Sequence, residues 1–418
     1  MNLPALKDLE IKSGARILVR AGFDVPIERG LVQDDFRIRG VLPTLDFVVG
    51  KNAVPIIICH LGRPSGWDEN FSIEPVAKKL AEVWKRKLVI VDEKVEKLPD
   101  YPIPHLYFFR FDISKHDPKR LIDQMREKDA GILENLRFYQ GEEANDSAFA
   151  KKLAELGEAY VNEAFSASHR NHASIDAVTK LLPSAAGFQF VGEVNALTGV
   201  LEHPKKPVVV MMGGIKLSDK ALAVSNLAKF SDHILLGGGL ASLFFKAQGF
   251  EVGKSVLAKV GEEKIAAQIW RNHKDKIKLP LDVVVSTTKD GAPECVQAHK
   301  VKPHQMILDI GPKTILEYSK YIKIAKTLVW NGPMGYFESK QFSHGTFALA
   351  RLFAAVSTKT SVFGLVGGGE TLEVIRREHL DKYIDHVSSG GGAMLDFLGG
   401  KDFPGVTALL ESKTNVKV

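Results

Sequence analysis

Anion-binding side chains are concentrated in the first half of the chain, several of them directly behind short apolar runs. These guanidinium and imidazole groups are Arg20, Arg37, His60, Arg63, Arg137, His169 and Arg170. Arginine binds oxyanions through two parallel N–H bonds, which makes it the usual ligand of carboxylates and phosphates. The first half therefore indicates a site for a small anion.

The second half carries a different set of residues. Glycine triplets occur at 237–239, 367–369 and 390–392, each between a strand pattern and a helix pattern, together with Lys216 and Lys220. Glycine-rich turns at helix starts let backbone N–H groups approach phosphates. One triplet alone would suit an ordinary tight turn, but three favour a nucleotide site. The two halves together predict phosphoryl transfer across a cleft.

The elements that must position these residues alternate between short apolar runs and helical patterns. Continuous apolar runs of this kind are typical of parallel strands buried on both faces, and ligands bind past the carboxyl ends of such strands. We predict an α/β fold with two doubly wound, mostly parallel-sheet, Rossmann-like domains. The length of 418 residues also favours two domains over one. The predicted domains are 1–187 and 204–400, joined by a hinge helix over 188–203.

Composition narrows the function classes. The net charge is +6, and the basic residues are spread along the chain without interleaved aromatic side chains, which argues against nucleic-acid binding. No apolar stretch approaches the ~20 residues of a membrane span, so no membrane association is expected. The two cysteines, Cys59 and Cys295, cannot form a disulfide framework. We expect a cytoplasmic monomer.

Two common nucleotide motifs are incomplete. The Gly253-Lys254-Ser255 stretch resembles the end of a P-loop, but the motif requires glycine at the position of Gln248. The dinucleotide fingerprint begins at Gly237 and fails at Ser242, where its third glycine should stand. The glycine triplets therefore predict a nucleotide site of another kind.

Taken together, these residues resemble the phosphoglycerate kinase family over almost the whole chain. The resemblance rests on long motifs in order: His60–Pro64, Glu134–Phe138, Ala164-Phe165 with His169-Arg170, Gly213–Lys220, Asp309–Pro312, Val329–Pro333, Phe337-Glu338 and Ser388–Ala393. It implies reversible phosphoryl transfer between ATP and 3-phosphoglycerate, giving ADP and 1,3-bisphosphoglycerate, in glycolysis and gluconeogenesis. It also implies that the tail, 401–418, returns to the N-terminal domain.

The resemblance implies site residues for each ligand. On the 3-phosphoglycerate side they are Gly22, Phe23, Asp24, Arg37, His60, Leu61, Gly62, Arg63, Arg137 and Arg170. On the ATP side they are Gly214, Lys216, Lys220, Gly238, Gly311, Asn331, Pro333, Glu338, Gly367, Gly368, Gly369, Glu370 and Thr371. Glu370 is also expected to meet Mg²⁺. The groups expected to stabilise the transferring phosphoryl group are Arg37, Lys216, Lys220, Gly391 and Gly392.

The first family motif departs from its usual pattern. Gly22 stands where the family has aspartate, and Asp24 stands where it has asparagine. Because residues 22 and 24 lie on the same face of an extended segment, we expect Asp24 to take over the contact with the 2-hydroxyl of the substrate. Two alternatives stay open: a kinase of the same fold acting on a related carboxylate, and a catalytically silent nucleotide-binding paralogue. Retention of Arg37, Lys216 and Lys220 argues against the silent paralogue.

Overall fold

The structure is a computed structural model that describes residues 2–99, 101–214, 218–257 and 261–412, without the side chains of 218–222. The chain divides into two compact units. Unit 1 comprises the residues up to Asn195 and the segment from Asp402, and unit 2 comprises Ala196–Lys401.

Unit 1 is built on a parallel sheet. Its strands are β1 (Arg16–Ala21), β2 (Ile27–Glu28), β3 (Leu31–Val32), β4 (Val54–Ile58), β5 (Lys87–Val91), β6 (His105–Phe109), β7 (Ala130–Leu133), β8 (Ala159–Glu163) and β9 (Ser184–Ala186). Seven of them pair in the order β5-β6-β7-β4-β1-β8-β9, while β2 and β3 form a separate antiparallel pair. Every residue of β4 is buried, as expected for a strand covered on both faces.

The helices of unit 1 cover this sheet. They are α1 (Phe36–Gly50), α2 (Glu74–Val83), α3 (Lys119–Ile122), α4 (Gln140–Glu143) and α5 (Ser147–Ala154). The next helix, α6 (Phe188–Glu202), begins in unit 1 and ends in unit 2. Its predicted hinge role stays a prediction.

Unit 2 contains the remaining strands. They are β10 (Val208–Met212), β11 (His233–Leu236), β12 (Ile277–Lys278), β13 (Asp282–Ser286), β14 (Glu294–Gln297), β15 (Met306–Ile310), β16 (Thr327–Asn331), β17 (Phe363–Gly367) and β18 (His386–Ser388). Six form a parallel sheet in the order β12-β11-β10-β16-β17-β18. Its helices are α7 (Ser218–Leu227), α8 (Gly238–Ala247), α9 (Glu262–His273), α10 (Pro312–Ile324), α11 (His344–Ser357), α12 (Gly369–Arg377) and α13 (Gly391–Leu398).

Two of the more apolar strands of unit 2, β13 and β15, lie outside its parallel sheet. Strands β13 and β15 flank neither β10 nor β16. Strand β13 pairs with both β14 and β15, which gives an antiparallel sheet in the order β14-β13-β15. Strand β14 is polar and largely exposed, so it carries no apolar run from which the sequence could have indicated it. The sequence pattern alone therefore missed this antiparallel sheet.

The C-terminal segment packs on unit 1 through helix α14 (Pro404–Glu411). The Gly405 N–H donates to the carbonyl of Ser168 at 2.9 Å, and the ring of Phe403 stacks on Phe165 with centroids 5.0 Å apart. Within the described part of the chain, no helix combines the length and the apolarity needed to cross a bilayer.

Candidate functional site

Four neighbouring strands of unit 1 deliver the predicted anion-binding residues to one edge of the sheet. The strands β7, β4, β1 and β8 are adjacent and parallel. Arg137, His60, Asp24 and Arg170 lie in the segments that follow them. Because the carboxyl ends of parallel strands meet at one edge of a sheet, residues far apart in sequence come together there.

Asn135 fixes two of these segments to each other. Its side-chain oxygen accepts from the N–H groups of Leu61 and Arg137 at 3.3 and 3.0 Å, and its amide nitrogen donates to the carbonyls of Leu61 and Phe71 at 2.8 and 2.9 Å. Asn135 is fully buried, so these bonds do not compete with water. The sequence motif contained Asn135 without indicating this positioning role.

Gly62 is required by its surroundings. Its φ of +61° is unfavourable for other residues, and a Cβ there would lie 2.3 Å from the Phe71 ring. Its N–H donates to Asp24 Oδ1 at 2.9 Å, and its carbonyl accepts from the Arg137 guanidinium. The backbone of Gly62 therefore connects a carboxylate and a guanidinium at the centre of the site.

The guanidinium groups of Arg63, Arg137 and Arg170 repel one another at this edge of the sheet. Burial, and next the charge of Arg170, lower the pKa of Arg137; burial, and next the charge of Arg63, lower the pKa of Arg170. Arg137 Nε lies 3.0 Å from Glu143 Oε1, on a largely exposed glutamate. Arg37, in the first turn of α1, donates to the Asp24 carbonyl. Mutually destabilising cations at a sheet edge favour an anionic ligand.

A buried ionic group lies directly behind this edge. Arg20, the fifth residue of β1, donates to Ser174 Oγ at 2.7 Å and to the Ala21 carbonyl at 2.7 Å. Glu142 Oε1 lies 3.8 Å from the Arg20 guanidinium and accepts from Ser174 Oγ at 2.6 Å. Arg20, Glu142 and Ser174 are fully buried. Nothing in the sequence pattern distinguished Glu142 from Glu143, the other acidic residue of α4.

Not every predicted substrate residue presents its side chain to the site. The rings and chains of Phe23 and Leu61 are buried in the hydrophobic core of unit 1, so only their backbone is suited to contact a ligand. Gly22 lies against the β8 end, where a Cβ would be 3.2 Å from Ser166 Oγ. Arg63 is exposed.

In unit 2 the corresponding edge is made of backbone. The Gly214 N–H donates to the Pro333 carbonyl at 2.9 Å, and the Gly238 N–H donates to the Met334 carbonyl at 2.8 Å. The Leu240 N–H in turn donates to the Gly214 carbonyl at 3.2 Å. These bonds join the segments that follow β10, β11 and β16, three adjacent strands.

A pocket of about 240 Å³ opens at this edge of unit 2. Five predicted nucleotide residues line it: Gly214, Gly238, Pro333, Glu338 and Glu370. Its walls are mainly apolar, with contributions from Met306, Ile307, Leu308 and Tyr336. An apolar pocket with a few polar groups at its rim is typical of sites for flat organic ligands.

The other predicted nucleotide residues support the loops behind this pocket. The Asn331 amide donates to the Gly367 carbonyl at 2.9 Å, and Thr371 Oγ1 accepts from the Gly332 N–H at 2.7 Å. A Cβ on Gly391 would lie 3.4 Å from the Gly368 Cα, so the two glycine loops are in close contact. The remaining members of the set lie nearby or at helix starts: Gly311 precedes α10, Gly369 begins α12 and Gly392 lies in α13. Lys216 and the side chain of Lys220 lie outside the described residues.

Sequence reasoning missed two lysines of the pocket. Lys254 and Lys289 both line it, and the Lys289 ammonium lies 5.3 Å from the centre of the Tyr336 ring. Lys254 belongs to the incomplete P-loop stretch, but its N–H donates to the Gln305 carbonyl in an irregular segment instead of opening a helix. The available signal was Lys254 beside Gly253, in a stretch that resembles the end of a P-loop.

Comparison with known proteins identifies the family. The sequence model of phosphoglycerate kinase matches residues 6–401. The chain belongs to the phosphoglycerate kinase family. It is 40% identical to phosphoglycerate kinase of Dictyoglomus turgidum over 411 residues, which cover 97% of each protein. It is also 40% identical to the enzyme of Moorella thermoacetica over 413 residues, 97% of this chain and 98% of the relative.

Solved phosphoglycerate kinases have the same fold. The structure from Coxiella burnetii matches with a TM-score of 0.79 at 32% identity, over 99% of this chain and 100% of that one. The structure from Pyrococcus horikoshii OT3 matches with a TM-score of 0.82 at 27% identity, over 98% and 99%. The predicted family, the predicted α/β fold with two Rossmann-like domains and the predicted class of ATP-dependent phosphotransferase are confirmed.

Proposed function

We propose that this protein catalyses reversible phosphoryl transfer between ATP and 3-phosphoglycerate, with the acceptor bound to unit 1 and the nucleotide bound to unit 2. The observation that carries the proposal is the contrast between the two sheet edges. One presents arginines that exceed their acidic partners, and the other presents glycine backbone around an apolar pocket. Family membership supports the same pair of ligands.

On unit 1, Arg63, Arg137 and Arg170 bind the phosphate of 3-phosphoglycerate. Their like charges raise each other's free energy until a dianion arrives, so the ligand relieves a repulsion already present. His60 and the segment Gly22–Asp24 contact the carbon chain of the acid, while Leu61 and Gly62 contribute backbone groups. The role of Arg37 is separate: it faces the carboxylate end, where transfer occurs.

On unit 2, the pocket of about 240 Å³ takes the adenine ring between its apolar walls. Glu338, at the rim, accepts from the ribose hydroxyls. Backbone N–H groups of the loops around Gly214, Gly238, Gly311, Pro333 and Gly367–Thr371 approach the phosphates, as N–H groups at helix starts commonly do. Asn331 and Thr371 hold these loops in place.

The residues fit a magnesium ion that arrives with the nucleotide. Mg²⁺ of this kind needs only one or two protein carboxylates, because phosphate oxygens and water fill its other positions. Glu370 lines the pocket and offers one such carboxylate. When bound, Mg²⁺ would offset the negative charge of the β- and γ-phosphates.

The reaction needs positioning and charge stabilisation more than covalent help. A carboxylate oxygen of 3-phosphoglycerate forms the new bond to the γ-phosphorus while the bond to the β–γ bridging oxygen breaks and ADP leaves. The nucleophile is already ionised, so no general base is required. Arg37, Lys216, Lys220 and the N–H groups of Gly391 and Gly392 stabilise the charge of the transferring group.

A coupled assay with purified protein, Mg-ATP and 3-phosphoglycerate tests the proposal. We expect turnover with 3-phosphoglycerate. Turnover only with another phosphorylated or hydroxylated acid would instead support a related kinase, and ADP binding without any turnover would support a silent paralogue. The cytoplasmic location and the monomeric state stay predictions.

A further inference from the structure

A continuous set of hydrogen bonds leads from a buried carboxylate to the imidazole of His60. Arg20 Nε donates to Ser174 Oγ at 2.7 Å, and Ser174 Oγ donates to Glu142 Oε1 at 2.6 Å. A second nitrogen of the same guanidinium, Nη2, lies 2.9 Å from His60 Nδ1. The function proposed above uses His60 and leaves Arg20, Ser174 and Glu142 without a role.

The direction of each bond in this set is determined. A guanidinium can only donate, so Ser174 Oγ accepts from Arg20 and its own hydrogen goes to Glu142. For the same reason His60 Nδ1 must accept, which places the imidazole proton on Nε2. Burial first, and then the charges of Arg20, Arg137 and Arg170, hold the pKa of His60 well below its usual value. The ring is therefore neutral.

The other side of the His60 ring faces Asp24. Nε2 lies 3.9 Å from Asp24 Oδ2, while Asp24 Oδ1 accepts from the Gly62 N–H at 2.9 Å. An N–H donor and a carboxylate acceptor at this separation are too far apart for a direct hydrogen bond. A hydroxyl group placed beside them can satisfy both, because it accepts and donates at once. The Asp24 side chain is 43% exposed, so this position is open to a ligand.

We propose that Arg20 and Glu142 are positioning residues that fix His60 as the neutral Nε2–H tautomer, and that this N–H and Asp24 Oδ2 together recognise the hydroxyl group of the acceptor acid. The proposal rests on the function proposed above, since 3-phosphoglycerate carries a hydroxyl beside its carboxylate. Glu142 acts at a distance: its carboxylate balances the buried charge of Arg20 and keeps the guanidinium in place.

Without a hydrogen bond from Arg20 to Nδ1, the neutral His60 ring could carry its proton on either nitrogen. Long-range ¹H–¹⁵N NMR of the unmodified protein reads that state directly, with the His60 signal assigned by its loss in His60→Gln. We expect a protonated Nε2, an unprotonated Nδ1 and no titration between about pH 5 and about pH 8. A proton on Nδ1, or a titration midpoint inside that range, would overturn the proposed positioning.

Hydroxyl recognition is tested by binding of 3-phosphoglycerate and of 3-phosphooxypropanoate, which lacks only the hydroxyl. We expect the unmodified protein to bind the hydroxy acid about tenfold more tightly, as one hydrogen bond to a charged group provides. His60→Ala should reduce this preference to about twofold, and His60→Gln, which still offers an N–H, should recover part of it. Asp92→Asn, an exposed carboxylate elsewhere in unit 1, is the matched control and should keep the full preference.

The two proposals fail in different ways. If the unmodified protein neither binds nor phosphorylates 3-phosphoglycerate, the proposed function is wrong. If it does both, but prefers the hydroxy acid equally with and without His60, the proposed function stands and hydroxyl recognition by His60 is wrong.

Discussion

The two units build their proposed ligand sites by different means. Unit 1 uses charged side chains: Arg20, Arg137 and Glu142 are buried or nearly so, and each depends on a specific partner. Unit 2 relies more on backbone: among its described residues, the loops behind β10, β11 and β16 meet through N–H and carbonyl groups, several of them of glycine and proline. Both edges lie past the carboxyl ends of a parallel sheet.

The difference has a physical reason in the ligands. A small acid with a phosphate and a carboxylate offers few atoms, so recognition must come from strong, directed and charged contacts. A nucleotide brings a large ring that the apolar pocket can bury, and backbone N–H groups near helix starts can approach its phosphates beside the lysines named above. We therefore expect ligand binding to unit 1 to be weakened most by substitutions that remove a charge. Ligand binding to unit 2 should be weakened most by substitutions that add atoms where backbone segments are in close contact.

The largest expected effect is on the charged side. Arg37→Ala should lower kcat by about 10²–10³ while leaving ATP affinity nearly unchanged, because one charge-stabilising group of the transition state is lost. Steady-state kinetics and ATP titration check this. Arg39→Ala removes an exposed arginine from the next position but one of the same helix, where it pairs with Asp35 at 2.9 Å, and should retain normal kcat. Near-normal kcat in Arg37→Ala would contradict the role assigned to Arg37.

The backbone side should be broken by a single methyl group. Gly238 has φ +56°, and a Cβ there would lie 2.9 Å from the Gly214 nitrogen and 3.1 Å from the Pro333 carbonyl oxygen. We expect Gly238→Ala to weaken ATP binding by at least about tenfold, since a clash with backbone cannot relax through a side-chain movement. Binding of 3-phosphoglycerate should be unchanged.

The control for this experiment is Gly199→Ala. Gly199 lies inside α6, and a Cβ there has nothing within 4 Å. Alanine is favoured over glycine in a helix by about 1 kcal/mol, so this variant should be slightly more stable and bind ATP normally. Equal ATP affinity in the two variants would argue against a backbone-built site.

The same contrast decides what the sequence could predict. Strands such as Val54–Ile58 and Val208–Met212 are continuous apolar runs, so their burial and the ligand edge behind them followed directly from the pattern. The guanidinium cluster was predictable because arginine has few other reasons to recur after buried strands. Glycine triplets were equally visible, since backbone approach requires the absence of side chains.

What the pattern could not predict depends on long-range partners. Glu142 and Ser174 are important only because Arg20 lies beside them, more than 100 positions away in the chain. Lys254 lines the pocket of unit 2 from a segment that resembles a different motif, the end of a P-loop. The antiparallel sheet around β14 was missed because Glu294–Gln297 has no apolar alternation. Each of these features depends on contacts between residues that are distant in the chain, and the periodicity of a sequence does not encode such contacts.

Two buried carboxylates sharpen the comparison through pH. Burial alone would raise the pKa of Glu142. Its bonds to His172 and Ser174 and the charge of Arg20 outweigh burial, so the pKa of Glu142 lies below its usual value of 4.5. Burial of Asp309 outweighs its bonds to the Gly345 and Ile310 N–H groups and raises its pKa from 3.8 to about 7. The native form of Glu142 is therefore the charged one, whereas the neutral form of Asp309 is favoured below about pH 7.

Glu142 and Asp309 should affect the free energy of unfolding in opposite directions of pH. The contribution of Glu142 is present above 4.5 and is lost as pH falls through its folded pKa, so Glu142→Gln should destabilise by about 3 kcal/mol at both pH 5.5 and pH 8. The contribution of neutral Asp309 is present below 3.8 and is lost as pH rises through about 7. Asp309→Asn should therefore cost about 1–2 kcal/mol less at pH 8 than at pH 5.5. Urea unfolding at the two pH values measures both, and equal pH dependence would contradict the assignment.

The smallest expected effect concerns Asp24, whose partly exposed carboxylate lies beside the guanidinium cluster. Asp24→Ala should raise KM for 3-phosphoglycerate by about tenfold, the equivalent of about 1–2 kcal/mol for a hydrogen bond to a charged group, and leave KM for ATP unchanged. Removing a negative charge from among arginines should by itself tighten binding of any anion. A weaker affinity for the hydroxy acid would therefore report the lost hydroxyl contact against an opposing electrostatic trend.

The analogue without the hydroxyl separates the two contributions to the Asp24 effect. For 3-phosphooxypropanoate, Asp24→Ala should leave affinity equal or slightly improved, because only the charge effect remains. Asp24 also accepts the Gly62 N–H at 2.9 Å, so the variant should lose some stability whatever its role in binding. A folded Asp24→Ala protein with lower stability and an unchanged KM for 3-phosphoglycerate would mean that Asp24 only supports the Gly62 loop. In that case the Asp24 carboxylate would take no part in substrate recognition.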